Sequence, residues 1–141
     1  MKGELLQIDG SHLTLDCTGC NPEILTDEKR IAIFMDELVG FLGMRKLIEP
    51  VSVTCGESDN GWDNGGVSAF VIIAESHISI HTFPQAALLT ADVYSCKPFD
   101  TEAAIAKFKA YFGATHITTN LISRKVQNLR EGQLALSNQQ N

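Results

Sequence analysis

The spacing of hydrophobic residues along the chain predicts six strands and two helices. Segments that alternate between apolar and polar residues, or that are apolar throughout, are typical of strands. These segments are 11–19, 47–55, 67–74, 77–83, 88–96 and 115–123. Apolar residues three or four positions apart predict helices. The first helix follows a cap at Thr26 or Asp27 and ends at Gly43, and the second follows a cap at Asp100 or Thr101.

The order of these elements indicates an α+β fold. One helix follows the first strand, four strands then run in succession, and the second helix precedes the last strand. This order predicts a two-layer α/β sandwich, in which a mainly antiparallel sheet carries both helices on one face. We expect a single domain, 1–141, with a frayed polar tail, 124–141. The other sheet face would be bare, so we expect the protein to dimerise through it.

Composition and charge narrow the functional classes. Of the 141 residues, 44% are hydrophobic and 20% are charged, which is enough apolar material for a packed core. The net charge of −6 argues against a nucleic-acid partner, because binding to phosphates needs clustered Lys and Arg. No apolar run reaches the ~18 residues of a membrane span, and the first residues lack the apolar core of a signal peptide. We therefore expect a cytoplasmic protein without a membrane partner.

The four cysteines do not predict a metal site. Cys17 and Cys20 form a lone C-x-x-C pair, whereas a structural zinc site usually combines two such pairs, or one pair with nearby histidines. Without a secretory signal, free thiols are the expected state. We interpret Cys17 and Cys20 as buried residues at the end of a strand.

A polar junction separates two of the apolar strands. The segment AFVIIAESHISIHTFPQ, residues 69–85, has Glu75, Ser76 and His77 where a turn normally uses Gly, Asn, Asp or Pro. A serine hydrolase would need flanking glycines and a helix after Ser76, and the sequence predicts a strand there. His77 and His81 are four positions apart on a strand, so about 13 Å separates them, too far to share a metal ion. Taken alone, the segment is also compatible with an ordinary polar turn.

The wider segment GGVSAFVIIAESHISIHTFPQ, followed by ADVYSC, resembles the bacterial and archaeal S-adenosylmethionine decarboxylase family. The resemblance covers residues 11–123 and includes GCNPEIL and LISR. It implies an inactive proenzyme that cuts itself between Glu75 and Ser76 into a β chain, 1–75, and an α chain, 76–141. The Ser76 hydroxyl would attack the Glu75 carbonyl, and a later elimination would leave a pyruvoyl group at residue 76.

The resemblance also implies the chemistry of the mature enzyme. The pyruvoyl carbonyl would form a Schiff base with the amine of a small-molecule substrate and accept electrons as carbon dioxide leaves. Pyridoxal phosphate does this work in other decarboxylases. Neither pyridoxal phosphate nor a metal ion is expected here. The family has pocket residues on both subunits, so the resemblance again points to a dimer.

Four further positions match functional residues of the family. By the resemblance, Ser68 and His81 assist self-cleavage, and Cys96 returns a proton to the carbanion after decarboxylation. Trp62 would stack on the adenine of the substrate. Each residue also has a simpler interpretation, since a strand serine, a buried thiol or a loop tryptophan needs no catalytic role.

Gln85 departs from the family pattern. The family usually has a glutamate here that accepts hydrogen bonds from the substrate ribose, whereas this chain reads HTFPQ. Three functions therefore stay open. The first is decarboxylation of S-adenosylmethionine for spermidine synthesis, and the second is decarboxylation of arginine or ornithine, which carry no ribose. The third is a non-catalytic paralogue that regulates an active partner, against which the intact Glu75, Ser76, His81 and Cys96 argue.

Overall fold

Six strands form one sheet in the computed structural model, which describes residues 7–56 and 65–127. The strands are β1 (Gln7–Thr18), β2 (Val51–Cys55), β3 (Gly66–Ile73), β4 (Ser76–Phe83), β5 (Leu88–Ser95) and β6 (His116–Gln127). Their order across the sheet is β2-β3-β4-β5-β1-β6, and every neighbouring pair is antiparallel. This arrangement confirms the predicted antiparallel sheet.

Within the described ranges, three α-helices pack on one face of the sheet, which confirms the α+β sandwich. They are α1 (Pro22–Leu25), α2 (Glu28–Phe41) and α3 (Thr101–Phe112). Asp27 and Asp100 cap α2 and α3, because each side chain accepts a hydrogen bond from an N–H in the first turn. Hydrophobic spacing did not predict the four-residue α1. Asn21 caps it and Pro22 occupies its first turn, where a missing N–H costs nothing.

The core lies between the helices and one face of the sheet. Alternate strand residues point to this face, and it is lined by aliphatic side chains that are almost fully buried. Phe34 of α2 contacts Phe108 and Phe112 of α3, with ring centroids 4.9 and 5.0 Å apart in edge-to-face geometry. These aromatic contacts hold the two long helices together above the sheet.

Cys17 and Cys20 are buried in this core as free thiols, as predicted. Burial raises the pKa of Cys17 to about 12, and the nearby Cys20 and Asp16 act in the same direction. The thiolate is the form that attacks and binds metals, so a thiol with this pKa is a poor nucleophile and a poor ligand at neutral pH.

Thr82 is a buried polar residue that joins the sheet to α1. Its Oγ1 donates a hydrogen bond to the Leu25 carbonyl at 2.6 Å and accepts one from the Val67 N–H at 2.8 Å. The backbones of β3 and β4 also approach each other closely here, since a Cβ on Gly66 would lie 2.4 Å from the carbonyl oxygen of Thr82. Glycine is therefore required at position 66 by the packing of β3 against β4.

The two edge strands differ from the predicted bounds. Strand β2 begins at Val51 rather than at residue 47, because Pro50 has no N–H to donate to the ladder. Strand β6 extends to Gln127, where it pairs with Gln7 at the start of β1. Residues 124–127 therefore belong to the sheet, and the prediction that the polar tail starts at 124 is wrong at this point. An edge strand tolerates these polar residues because much of it faces solvent.

The sheet face opposite the helices is open in the single chain. Among the described residues, six large apolar side chains on this face are between 39% and 58% exposed. They are Val51, Val53, Phe70, Ile72, Ile122 and Val126. Within the described residues, no helix is both long enough and apolar enough to cross a membrane.

Candidate active site

The Glu75–Ser76 peptide bond lies at the tight turn between β3 and β4. The backbone carbonyl oxygen of Glu75 accepts a hydrogen bond from the Cys96 N–H at 2.7 Å. On the other side, the Arg45 N–H donates to Glu75 Oε1 at 3.2 Å, and the Ala74 N–H donates to the Arg45 carbonyl at 2.7 Å. The turn is therefore held both by the end of β5 and by the segment that precedes β2. We call Glu75, Ser76 and Cys96 the cleavage junction.

Ser76 has an unusual backbone conformation. Its φ is 156°, and Ala87 is the other non-glycine residue with a positive φ within the described ranges. Positive φ values are uncommon for residues that carry a Cβ. The uncommon torsion thus occurs at the residue whose peptide bond the family resemblance predicts to break, and such strain is often found at functional sites.

Ser68 and His81 form a second group on the open face. They lie directly opposite each other on β3 and β4, and a hydrogen bond of 2.9 Å joins Ser68 Oγ to His81 Nδ1. Both residues are exposed. We call them the Ser68–His81 pair.

Within one chain, the fold keeps this pair apart from the cleavage junction. Ser76 and His81 are five positions apart on β4, which corresponds to about 17 Å along a strand. An odd spacing also directs their side chains to opposite faces of the sheet. Thus the predicted processing residues occupy two separate places, and a single copy of the chain does not bring them together.

Of the two residues predicted to contact the substrate, Gln85 lies within the described residues and Trp62 does not. Gln85 is exposed and lies in a 3₁₀ turn, Pro84–Ala86, between β4 and β5. This turn is at the end of β4 where His81 lies, away from the cleavage junction. Trp62 lies outside the described residues.

A third polar cluster was not predicted from the sequence. His12 Nε2 lies 2.6 Å from Asp92 Oδ2, and His77 Nε2 lies 3.1 Å from the same oxygen. Ser79 Oγ donates a hydrogen bond to Asp92 Oδ1. We call His12, His77, Ser79 and Asp92 the Asp92 cluster. It lies on the open face, on the three adjacent strands β1, β5 and β4.

The electrostatics of the Asp92 cluster favour an ionised carboxylate. Partial burial opposes ionisation, but hydrogen bonds from Ser79, His12 and His77 outweigh it and lower the pKa of Asp92 below its ordinary value. The cluster was missed because His12 and Asp92 are 80 positions apart and meet only through the pairing of β1 with β5. The sequence does contain one signal. In each of these predicted strands, the polar residues of the cluster alternate with the apolar core residues, so they could have been expected to lie on the face opposite the core.

Comparisons with known proteins agree on one family. The family model described as S-adenosylmethionine decarboxylase matches residues 11–125. An S-adenosylmethionine decarboxylase proenzyme of Pyrobaculum islandicum is 35% identical over 114 residues, which is 74% of this chain and 86% of that protein. A proenzyme of the same name from Carboxydothermus hydrogenoformans is 30% identical, over 83% of this chain and 87% of that one.

A solved structure supports the fold. The crystal structure of the adenosylmethionine decarboxylase from Aquifex aeolicus superimposes with a TM-score of 0.70. The match covers 89% of this chain and 97% of that one, at 23% identity. The two proteins therefore share one fold over most of both chains.

Proposed function

The chain belongs to the S-adenosylmethionine decarboxylase family, and on that premise we propose that it cuts itself between Glu75 and Ser76 and then decarboxylates S-adenosylmethionine. The observation that carries the proposal is the hydrogen bond from the Cys96 N–H to the Glu75 carbonyl oxygen. Negative charge develops on this oxygen when a nucleophile adds to the carbonyl carbon. A donor already fixed against it lowers the barrier to that addition.

Self-cleavage would begin with an acyl shift. Ser76 Oγ adds to the Glu75 carbonyl carbon, the C–N bond breaks, and the hydroxyl proton ends on the new amine, so that an ester replaces the amide. A base then removes the α-proton of residue 76 and the Cβ–O bond breaks, which releases the Glu75 carboxylate as the end of chain 1–75. The dehydroalanine that remains takes up water and loses ammonia, leaving a pyruvoyl group. His81 is our candidate for the base, assisted by Ser68.

The surroundings of residue 76 fit a pyruvoyl group. Residue 76 pairs with Ser95 of β5, and β3 pairs with β4 from Ser68↔His81 to Ile73↔Ser76, on either side of the cut. The new chain end would thus stay fixed in the sheet. A pyruvoyl group there would supply a carbonyl that accepts electrons during decarboxylation of an amino acid. Cys96 follows β5 beside this position, and we assign its half-buried thiol the return of a proton to the product.

We also propose that a second copy of the chain completes the site. His81 and Ser76 of one chain are about 17 Å apart along β4, too far for proton transfer. Ser68, His81 and the exposed apolar side chains share the open face, so a partner docked there would cover the apolar surface. In a two-fold dimer, each cleavage junction could receive the Ser68–His81 pair of the other subunit.

The substrate rests on the family and on Gln85. Relatives named S-adenosylmethionine decarboxylase favour that substrate, whose decarboxylated product would serve spermidine synthesis. Gln85 has no negative charge, and this keeps arginine or ornithine as a second candidate. A neutral amide can still accept one hydrogen bond from a ribose hydroxyl, at about 0.5 to 1.5 kcal/mol.

Release of carbon dioxide tests the proposed activity. Purified protein is incubated separately with carboxyl-labelled S-adenosylmethionine, arginine and ornithine, and kcat/KM is compared. We expect S-adenosylmethionine to be preferred at least a hundredfold, which corresponds to about 2.7 kcal/mol of transition-state binding. A hundredfold preference for arginine or ornithine would instead identify a decarboxylase of a basic amino acid. If none of the three compounds is turned over, the remaining function is that of a non-catalytic paralogue.

A further inference from the structure

The Asp92 cluster contains a set of ligand atoms that the proposed decarboxylation does not use. We propose that His12, His77 and Asp92 bind one divalent transition-metal ion of the zinc class. None of the three residues belongs to the cleavage junction or to the Ser68–His81 pair, and all three lie on the open face that the pair occupies.

The two imidazoles converge on one point. Nε2 of His12 and Nε2 of His77 both lie within hydrogen-bond distance of the same oxygen, Asp92 Oδ2, at 2.6 and 3.1 Å. Two ring nitrogens that both reach this oxygen would direct their lone pairs to the same region once they carry no proton. The three ligand atoms all lie within 4.8 Å of one another. Ligands about 2.1 Å from a tetrahedral ion are about 3.4 Å apart, so small side-chain rotations would be enough.

The sheet holds these side chains on a rigid frame. Tyr94 of β5 pairs with His12 of β1 on one side and with His77 of β4 on the other. Asp92 lies two residues earlier on β5 and therefore on the same face. The ligands thus come from the middle strands rather than from loops, which favours precise geometry.

Ser79 acts as an outer partner of the carboxylate. Its hydroxyl donates to Asp92 Oδ1, which leaves Oδ2 directed at the two histidines. Such partners commonly fix the orientation of a metal-binding carboxylate. In the single chain the side chains of His12, His77 and Asp92 are 23%, 33% and 21% exposed, so an ion can reach them before a second copy covers the open face.

The donor set selects the class of metal. Two imidazole nitrogens and one carboxylate suit zinc, cobalt or nickel, whereas calcium and magnesium prefer oxygen ligands throughout. Three protein ligands leave a fourth position for water, as in open zinc sites rather than in structural ones, where four protein ligands close the coordination shell.

Isothermal titration of the full chain with zinc chloride tests this site. We expect one ion per chain in the wild type, and a loss of affinity of at least tenfold in Asp92→Asn and in His77→Gln. Ser79→Ala should weaken binding about 10-fold to 100-fold, as removal of an outer partner usually does. His116→Gln is the matched control, because His116 is also a strand histidine but lies on β6, outside the cluster. This variant should bind zinc with the affinity of the wild type.

Two measurements keep the test decisive. Circular dichroism establishes that each variant is folded, and His12→Gln replaces Asp92→Asn if the latter is not. The visible spectrum of the cobalt-substituted protein should lack a thiolate charge-transfer band, since no cysteine is among the proposed ligands. The inference fails if the wild type binds no zinc, if binding survives the loss of Asp92 and of either histidine, or if the cobalt spectrum shows thiolate ligands.

Discussion

Mixing two inactive variants tests whether the site is shared between subunits. Ser76→Ala lacks the attacking hydroxyl, so it should stay uncut. His81→Ala keeps the hydroxyl but lacks the proposed base, whose loss should slow cleavage by about 10²-fold to 10⁴-fold. Because about 17 Å along β4 separates the two positions in one chain, we expect each chain to use the His81 of its partner.

The expected extent of cleavage follows from the geometry of a two-fold dimer. When the two variants are co-expressed in equal amounts, about half of the dimers contain one chain of each kind. In every mixed dimer, one junction combines the Ser76 of the His81→Ala chain with the His81 of the Ser76→Ala chain. The other junction has neither residue. About a quarter of all chains should therefore be cut, and all of them should carry the His81→Ala substitution.

Intact mass spectrometry reads the result, since the two substitutions give each fragment its own mass. The incubation lasts as long as the wild type needs for complete cleavage, and each variant expressed alone is the control. No cleavage in a mixture that light scattering shows to be dimeric would mean that the pair acts within its own chain. Complete cleavage of His81→Ala alone would remove His81 from the mechanism.

Four further predictions concern single residues. Cys96→Ala should still cleave but lose about a hundredfold or more in kcat, because only proton return is lost, and a folded variant that stays uncut would contradict this role. Gln85→Glu should lower KM for S-adenosylmethionine about threefold to tenfold in steady-state assays, and an unchanged KM would exclude a ribose contact. Thr82→Val should cost about 2 to 4 kcal/mol in urea unfolding, because two buried backbone partners lose their bond, whereas Thr90→Val on the open face should cost far less. Folding lowers the pKa of Asp92. The ionised carboxylate therefore stabilises the folded protein fully above its ordinary pKa of about 4, and this contribution is lost as the pH falls through the lowered pKa of the folded state. In acid unfolding, Asp92→Asn should not show this pH-dependent loss of stability, and an acid transition identical to that of the wild type would contradict the proposed contribution of Asp92.

The layout of the fold was predictable because local signals were strong. Aspartates at helix starts and apolar residues at helical spacing defined α2 and α3. The six strands were separated by loops and helices, and their succession implied an antiparallel sheet. The ends of β2 and β6 were less predictable, because edge strands carry polar residues that resemble loops and their length depends on the partner strand.

The site was predictable only in its residues. The odd spacing of Ser76 and His81 already implied opposite faces of a strand, yet only the extended pairing of β4 makes their separation explicit. The Asp92 cluster depends on the register between β1 and β5, and hydrophobic spacing does not determine how distant strands align. Contacts between residues 80 positions apart therefore became visible only in the folded chain.

The mass of the freshly purified protein is the most direct test of the central claim. The 15.4 kDa chain should be replaced by two fragments of about 8 and about 7 kDa, in proportion to the 75 and 66 residues on either side of the cut. The smaller fragment should begin with a pyruvoyl group in place of Ser76, and Ser76→Ala should give a single uncut chain. A wild-type chain that stays intact for days under native conditions would contradict self-cleavage at Glu75–Ser76.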